Sequence, residues 1–232
     1  MLLGGFIKQS FSDYPGKISS VIFTKGCNFY CKYCHNPDLV RLTGANIDSN
    51  NVIEWIYSNR GLLGGVVISG GEPTIQNNLY SFITKLKSFG LDIKLDTNGT
   101  NPDVVESLIR DKLIDYIAVD IKAPLELSRY RDIVGDNFCN RCIDNIKETI
   151  NIIEHYNINY EFRTTLLKPF HTANDIRSIT DDIHGNYYIQ KFDDTITLQS
   201  IDNAGVVDIQ DIKKVVNECS NKGCNILVRE GY

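Results

Sequence analysis

The stretch Gly65-Val66-Val67-Ile68-Ser69-Gly70-Gly71-Glu72-Pro73 reads as a short strand that runs straight into a polar, glycine-rich end. Val66, Val67 and Ile68 are β-branched and uninterrupted, the pattern of a strand covered on both faces in a parallel sheet. Downstream, Leu79, Phe82, Ile83, Leu86 and Phe89 fall at helical spacing, and Gly90 stops the run. A second β-like run follows, Asp92-Ile93-Lys94-Leu95-Asp96, closing in Thr97-Asn98-Gly99. Strand, helix and strand in this order form the βα unit of a parallel sheet.

Outward from this centre the unit recurs. Strands are expected over 18–24, 116–121, 160–166 and 187–192. Helical spacing marks a segment over about 48–58, one opening with Asn101 as cap and Pro102 at its first position, and one through Ile143, Ile146, Ile150 and Ile153. Two more run through Ile176, Ile179 and Ile183, and through Ile209, Ile212, Val216 and Cys219 before Gly223. A short apolar run, Asn225-Ile226-Leu227-Val228, comes after them. Six units without a low-complexity linker predict an α/β fold, an incomplete (β/α)6 parallel barrel in a single domain spanning 1–232.

Parallel barrels place their active sites at the carboxyl ends of their strands. There this chain sets Gly70-Gly71-Glu72-Pro73, Asp96-Thr97-Asn98, and Asp120 with Lys122, while Arg163 lies within an apolar strand and needs a partner. After the first strand comes Cys27-Asn28-Phe29-Tyr30-Cys31-Lys32-Tyr33-Cys34-His35-Asn36-Pro37, three cysteines at spacings x3 and x2. Three thiolates suit a [4Fe–4S] cluster with one iron left open, since a closed cluster takes four. One helical face would also hold positions i, i+4 and i+7, but Gly26 and Pro37 favour a loop. A zinc site using His35, or a disulfide with a spare thiol, stays open on spacing alone.

The charge balance, 24 basic against 29 acidic residues for a net −5, carries no nucleic-acid footprint. No apolar run approaches the length of a membrane span, and Met1-Leu2-Leu3-Gly4-Gly5 lacks the pattern of a secretory signal. Seven cysteines, an odd number, point to a reducing compartment. The expectation is a cytoplasmic enzyme with a metal cofactor, acting on neither nucleic acid nor membrane.

The cysteine spacing with Tyr33 before the last cysteine, together with Gly70-Gly71-Glu72-Pro73, resembles the radical S-adenosylmethionine superfamily. Within it the chain resembles the glycyl-radical enzyme activases, most closely the anaerobic ribonucleoside-triphosphate reductase activating proteins. Ser12-Asp13-Tyr14-Pro15-Gly16-Lys17, Cys34-His35-Asn36-Pro37-Asp38, Asp120-Ile121-Lys122 and Phe162-Arg163-Thr164-Thr165 extend that likeness over roughly residues 4–170. The resemblance implies that Cys27, Cys31 and Cys34 hold three irons and S-adenosylmethionine takes the fourth. It places Tyr33 near the adenine, and Gly70, Gly71 and Glu72 on the methionine ammonium. It gives Lys122 or Arg163 the methionine carboxylate, and sets Asp96, Thr97, Asn98 and Asp120 facing the cofactor or a monovalent cation. No catalytic residue beyond the cluster and cofactor site is implied. The implied partners are a glycyl-radical enzyme as protein substrate and a flavodoxin or ferredoxin-type reductant.

Some features depart from that pattern. Lys191-Phe192-Asp193-Asp194 carries acids where a base is expected in this branch, and His171 is expected to face solvent from a loop. Cys139-x2-Cys142 and Cys219-x4-Cys224 offer ligands for a second cluster, yet Cys139 and Cys219 continue apolar helical stripes, so core packing is the expectation. The rival functions are a small-molecule enzyme of the same superfamily, such as a carboxy-deazaguanine synthase, and a non-catalytic metal-binding protein.

Overall fold

Seven parallel strands and one antiparallel strand form a single sheet whose order follows the chain. The structure is a computed structural model that describes residues 1–136, 138–192, 197–201, 204–205, 207, 212–216 and 223–229. The strands are β1 (Leu3–Tyr14), β2 (Lys17–Thr24), β3 (Gly65–Gly70), β4 (Asp92–Thr97), β5 (Tyr116–Asp120), β6 (Asn159–Leu166), β7 (Gly185–Lys191) and β8 (Cys224–Arg229). No ladder among the described residues joins β8 to β1, so the barrel stays open.

All six expected strands are present, and the sheet gains one at each edge. β1 pairs antiparallel with β2 through a turn in which Tyr14 faces Lys17, and Gly16 takes φ +72°. Pro15-Gly16 suits such a turn, proline fixing the first φ and glycine allowing the positive second. Three register shifts interrupt the pairing, and Gly4-Gly5 open the strand, so the alternation that signals a strand is broken. At the other edge, the run at 225–228 lies within β8 and pairs parallel with β7.

Helices cross between the parallel strands: α1 (Pro37–Arg41) and α2 (Ser49–Asn59), α3 (Leu79–Lys87), α4 (Pro102–Arg110), α5 (Leu127–Val134) and α6 (Asn140–His155), then α7 (Ala173–Asp182). Asp48 caps α2 by accepting the Asn50 N–H at 2.9 Å. Asn101 stands at the cap position of α4, but its amide donates to Thr74 Oγ1 at 2.8 Å instead of closing the helix end. Residues 212–216 are helical; Ile209 and Cys219, expected on the same helix, lie outside the described residues. No helix among the described residues is long and apolar enough to cross a membrane.

Strand alternation sorts the two faces of the sheet. Val66, Ile68, Ile93, Leu95, Ile117, Val119 and Phe162 point to the helices and are buried in the main core, each side chain contributing about 1.5–3 kcal/mol by leaving water. The opposite face is graded. A small apolar plug of Tyr14, Val21 and Val67 gives way to the charged side chains of Lys94, Asp96, Glu161 and Arg163 and then to the strand ends.

Candidate active site

The end of β3 is fastened directly to the start of the cysteine loop. The Gly71 N–H donates to Thr24 O and the Glu72 N–H to Gly26 O, both at 2.8 Å. A Cβ on Gly70 would stand 2.3 Å from Thr24 N, and one on Gly71 would stand 2.0 Å from Gly26 O. Only glycine permits this approach, and Gly70 also holds φ +111°. The loop's far side hangs from α5: the Tyr30 N–H donates to Val134 O at 3.1 Å and the Lys32 N–H to Ile133 O at 3.0 Å. Within the loop the Phe29 N–H points at Cys27 Sγ and the Asn36 N–H at Cys34 Sγ, each at 3.4 Å.

A cavity of about 200 Å³ opens over these strand ends. Cys27, Cys31, Tyr33, Cys34, Gly70, Gly71, Glu72, Asp96, Thr97, Asn98, Asp120 and Lys122 all line it. Of the residues implied to hold the cluster or the cofactor, Arg163 alone does not; it lies beneath, bound to Asp120 and Asp96. His35, the candidate zinc ligand, joins the lining, as do Phe29, Asn36, Val40, Ser69 and Thr165, which carried no assigned role.

Beside β3 and β4 the cavity wall is a closed hydrogen-bonded frame. Buried Glu72 accepts four bonds: Thr74 N–H at 3.1 Å, Thr74 Oγ1–H at 2.6 Å, Thr97 Oγ1–H at 2.7 Å and Asn98 N–H at 2.7 Å. Burial still pushes its carboxyl above the ordinary range. Asn98 then donates to Asn28 Oδ1 at 2.8 Å, Asn28 donates to Thr100 Oγ1 at 2.7 Å, and Thr100 Oγ1 donates back to Asn98 Oδ1 at 2.7 Å. This ring ties the cysteine loop to the end of β4. Two side chains of α6 support it from behind, Asn145 donating to Thr100 O and Thr149 to Gly99 O.

Beside β5 and β6 the wall is ionic. Asp120 and Arg163 are register partners, with Arg163 Nε 2.9 Å from Asp120 Oδ1, and Lys122 Nζ lies 3.0 Å from the other oxygen. Burial would push the Asp120 carboxyl up, but the Arg163 guanidinium and the Lys122 ammonium hold it at about 2. Burial is the largest single influence on Lys122 and pulls it down, but Asp120, Tyr33 and Cys31 together raise it by more, so it stays charged. Arg163 also reaches Asp96 at 3.4 Å, and Lys94 stands 3.1 Å from Asp96 Oδ1, a buried oxygen without a well-aligned hydrogen bond. Glu161, fully buried, gathers Tyr116 Oη–H and Arg229 at 3.1 Å each, with Lys94 at 3.8 Å.

An aromatic cluster closes a further side. The buried Tyr33 ring packs near Phe170, His171 and Phe192, and its hydroxyl has no hydrogen-bond partner among the described residues. His171, expected to face solvent, is buried: its Nε2 lies 2.8 Å from Lys122 O and its Nδ1 3.3 Å from the Leu167 N–H. A carbonyl accepts, so Nε2 carries the proton and Nδ1 receives the Leu167 N–H. Burial lowers the imidazole pKa and keeps it neutral. α7 begins only at Ala173, and nothing in the local pattern marks His171 as buried. Asp193 and Asp194 lie outside the described residues.

Burial pushes all three loop thiols up, Cys31 to about 12. Metal binding must therefore displace their protons. Among the described residues no three His, Cys, Asp or Glu side chains converge as they would on a single ion. The three thiols line the same cavity, and a set of three suits a cluster held at three corners better than one tetrahedral ion. His35, the candidate fourth ligand for zinc, stacks on Phe192 at 5.4 Å. Away from the loop, Cys224 is buried at the start of β8, as expected, and Cys219 lies outside the described residues. Cys139 departs from the expected core packing: it is the exposed N-cap residue of α6, because the helix starts one residue after it.

Comparison with known proteins matches the model of the radical SAM superfamily to residues 21–183. A Methanocaldococcus jannaschii protein, provisionally named a glycyl-radical enzyme activating enzyme, is 36% identical over 203 residues, covering 83% of this chain and 80% of its own. The pyruvate formate-lyase-activating enzyme of Listeria monocytogenes is 34% identical over 125 residues, 47% of this chain and 48% of that protein. A Pyrococcus horikoshii protein provisionally named GTP 3′,8-cyclase is 30% identical over 141 residues, 60% of this chain and 44% of that one. The chain thus spans about half the length of these last two relatives. A radical SAM methyltransferase from Sphaerobacter thermophilus superposes with a TM-score of 0.73 at 14% identity, over 96% of this chain and 68% of that one, a likeness of fold.

Proposed function

This chain belongs to the radical SAM superfamily, and we propose that it acts on a protein, placing a radical on one glycine of a glycyl-radical enzyme. It is a radical SAM enzyme whose cofactors are a [4Fe–4S] cluster and S-adenosylmethionine. The observation that carries the finer proposal is the likeness to an activating enzyme over 83% of the chain. The shorter matches to pyruvate formate-lyase-activating enzymes agree with it.

When bound, the cluster supplies the electron that splits the sulfonium of S-adenosylmethionine into methionine and a 5′-deoxyadenosyl radical. Cys27, Cys31 and Cys34 would hold the cluster at three corners. The main chain at Gly70 and Gly71, which line the cavity, would take the methionine ammonium. Glu72 would act through position, since its four hydrogen bonds are already made within the chain. Lys122 is the cation that lines the cavity, and would take the methionine carboxylate. Arg163 would act one layer below by holding Asp96 and Asp120, which face the cavity with Thr97 and Asn98. Tyr33 brings an apolar ring for the adenine. The reductant would be a flavodoxin or ferredoxin-type protein, in a reducing cytoplasm.

A decisive test mixes the reconstituted, reduced chain with S-adenosylmethionine and a glycyl-radical protein encoded in the same genome, anaerobic ribonucleotide reductase first. The expected result is a protein-centred EPR doublet that collapses when glycine α-carbons are deuterated. Cleavage of S-adenosylmethionine with no protein radical on any such partner would instead favour a small-molecule substrate, the alternative to which the likeness to GTP 3′,8-cyclase points.

A further inference from the structure

Cys139 and Cys142 lie outside the cavity and serve none of its chemistry. Their sulfurs are 3.3 Å apart, one turn at the amino end of the 16-residue α6. Cys139 is exposed at the N-cap, whereas Cys142 is half-buried against the core. A helix N-terminus favours a thiolate, and two cysteines separated by two residues are the common spacing of an exchange dithiol. No His, Cys, Asp or Glu among the described residues completes a metal site with them.

We propose that Cys139 and Cys142 form a reversible thiol–disulfide exchange site, with Cys139 as the attacking and Cys142 as the resolving thiol. The substrate class is an organic disulfide. Cys139 Sγ attacks one sulfur of the incoming disulfide, whose S–S bond breaks and releases the first thiol. Cys142 Sγ then attacks Cys139 Sγ in the mixed disulfide and releases the second. The two protein thiols lose two electrons and two protons, and the incoming disulfide gains them as two free thiols. Closing the protein disulfide shortens the sulfur separation from 3.3 Å to about 2.05 Å.

The asymmetry of the pair fixes the roles. The Cys142 thiol donates toward Cys139 and lowers its pKa, with the nearby Arg131 cation adding to the effect, whereas burial raises Cys142. The exposed sulfur is therefore also the better populated thiolate. The site borders the cysteine loop: neighbouring Phe138 packs edge-on against Phe29 at 5.5 Å and stacks on Tyr130 at 4.8 Å.

The test uses the cluster-loaded protein under anaerobic conditions, with Cys27, Cys31 and Cys34 occupied. One arm adds oxidised glutathione and the other an oxidised thioredoxin; both are acid-quenched, alkylated and mapped by mass spectrometry. The expected result is a Cys139–Cys142 disulfide in at least one arm, reversed by dithiothreitol, the productive arm distinguishing a small-molecule from a protein source. Cys142→Ser should trap a mixed disulfide on Cys139, while Cys139→Ser, a favoured N-cap residue that keeps the helix start, should trap it roughly tenfold more slowly. Absence of the internal disulfide in both arms would overturn the proposal, as would faster trapping on Cys142 than on Cys139.

Discussion

The two walls of the cavity are built on opposite principles. Around Glu72 a carboxylate, three threonines and two asparagines satisfy one another through short neutral or charge-assisted hydrogen bonds. Around Asp120 the same depth of burial is balanced by ion pairs among Asp96, Asp120, Lys122 and Arg163. A closed ring of hydrogen bonds fixes geometry and has little capacity left for a ligand. An ionic wall with its cation on the cavity can exchange a protein carboxylate for a ligand's. The contrast teaches that the glycine-rich wall is the frame, while the ionic wall keeps at the cavity the Lys122 ammonium to which the proposed function assigns the methionine carboxylate.

Removing one member from each wall sharpens the contrast, and Arg163 should give the largest effect. Arg163→Met leaves Asp96 and Asp120 buried without their shared cation, so it should lower unfolding stability by about 3–5 kcal/mol in denaturant titration. A loss under 1 kcal/mol would mean that Lys94 and Lys122 carry the balance alone. Glu72→Gln keeps the shape of the frame but replaces one acceptor oxygen by a donor, opposing either the Asn98 N–H on one side or the Thr74 N–H on the other. The expected loss is about 2 kcal/mol in denaturant titration.

The ionic wall also predicts a pH dependence opposite in sign to that of Glu72, whose raised carboxyl favours the folded chain toward lower pH. Asp120 is held at about 2 in the folded chain, against roughly 3.9 unfolded. Its folded pKa is depressed, so its stabilisation is complete above about pH 4 and is lost as the pH falls toward 2. Allowing for partial exposure of the pair, Asp120→Asn should flatten that limb by roughly 1–2 kcal/mol in thermal melts between those pH values. An unchanged limb would remove Asp120 as its source. The smallest effect belongs to Asn28→Ala, which opens the ring to Asn98 and Thr100 and should cost about 1 kcal/mol. Amide exchange in the cysteine loop should quicken more than the global stability falls.

Much of this arrangement was legible in the residues. β3 and β4 announced themselves by β-branched runs ending in glycine or polar residues, and the same signal found β2, β5, β6 and β7. The outer strands were harder. β1 carries two glycines and three register shifts, and its Pro15-Gly16 turn read as part of a motif rather than as a hairpin. The cavity's chemistry was visible because strand ends in a parallel barrel share one face. Asn28 and His171 were missed because their roles depend on contacts 70 and 49 residues away, which no local pattern records. Arg163 was flagged correctly as needing a partner, but only the strand register reveals that Asp120 is that partner. Cys139 was misplaced by a single residue at a helix start, enough to move it from the core to the surface.

The central claim is that the cysteine loop and the two walls together perform reductive cleavage of S-adenosylmethionine. The most direct measurement reconstitutes the chain anaerobically, reduces it with dithionite, adds S-adenosylmethionine and quantifies 5′-deoxyadenosine, with Cys31→Ala as the control. The account predicts 5′-deoxyadenosine from the intact chain carrying about four irons, and none above background from the variant. No 5′-deoxyadenosine from a chain with its cluster in place would contradict it.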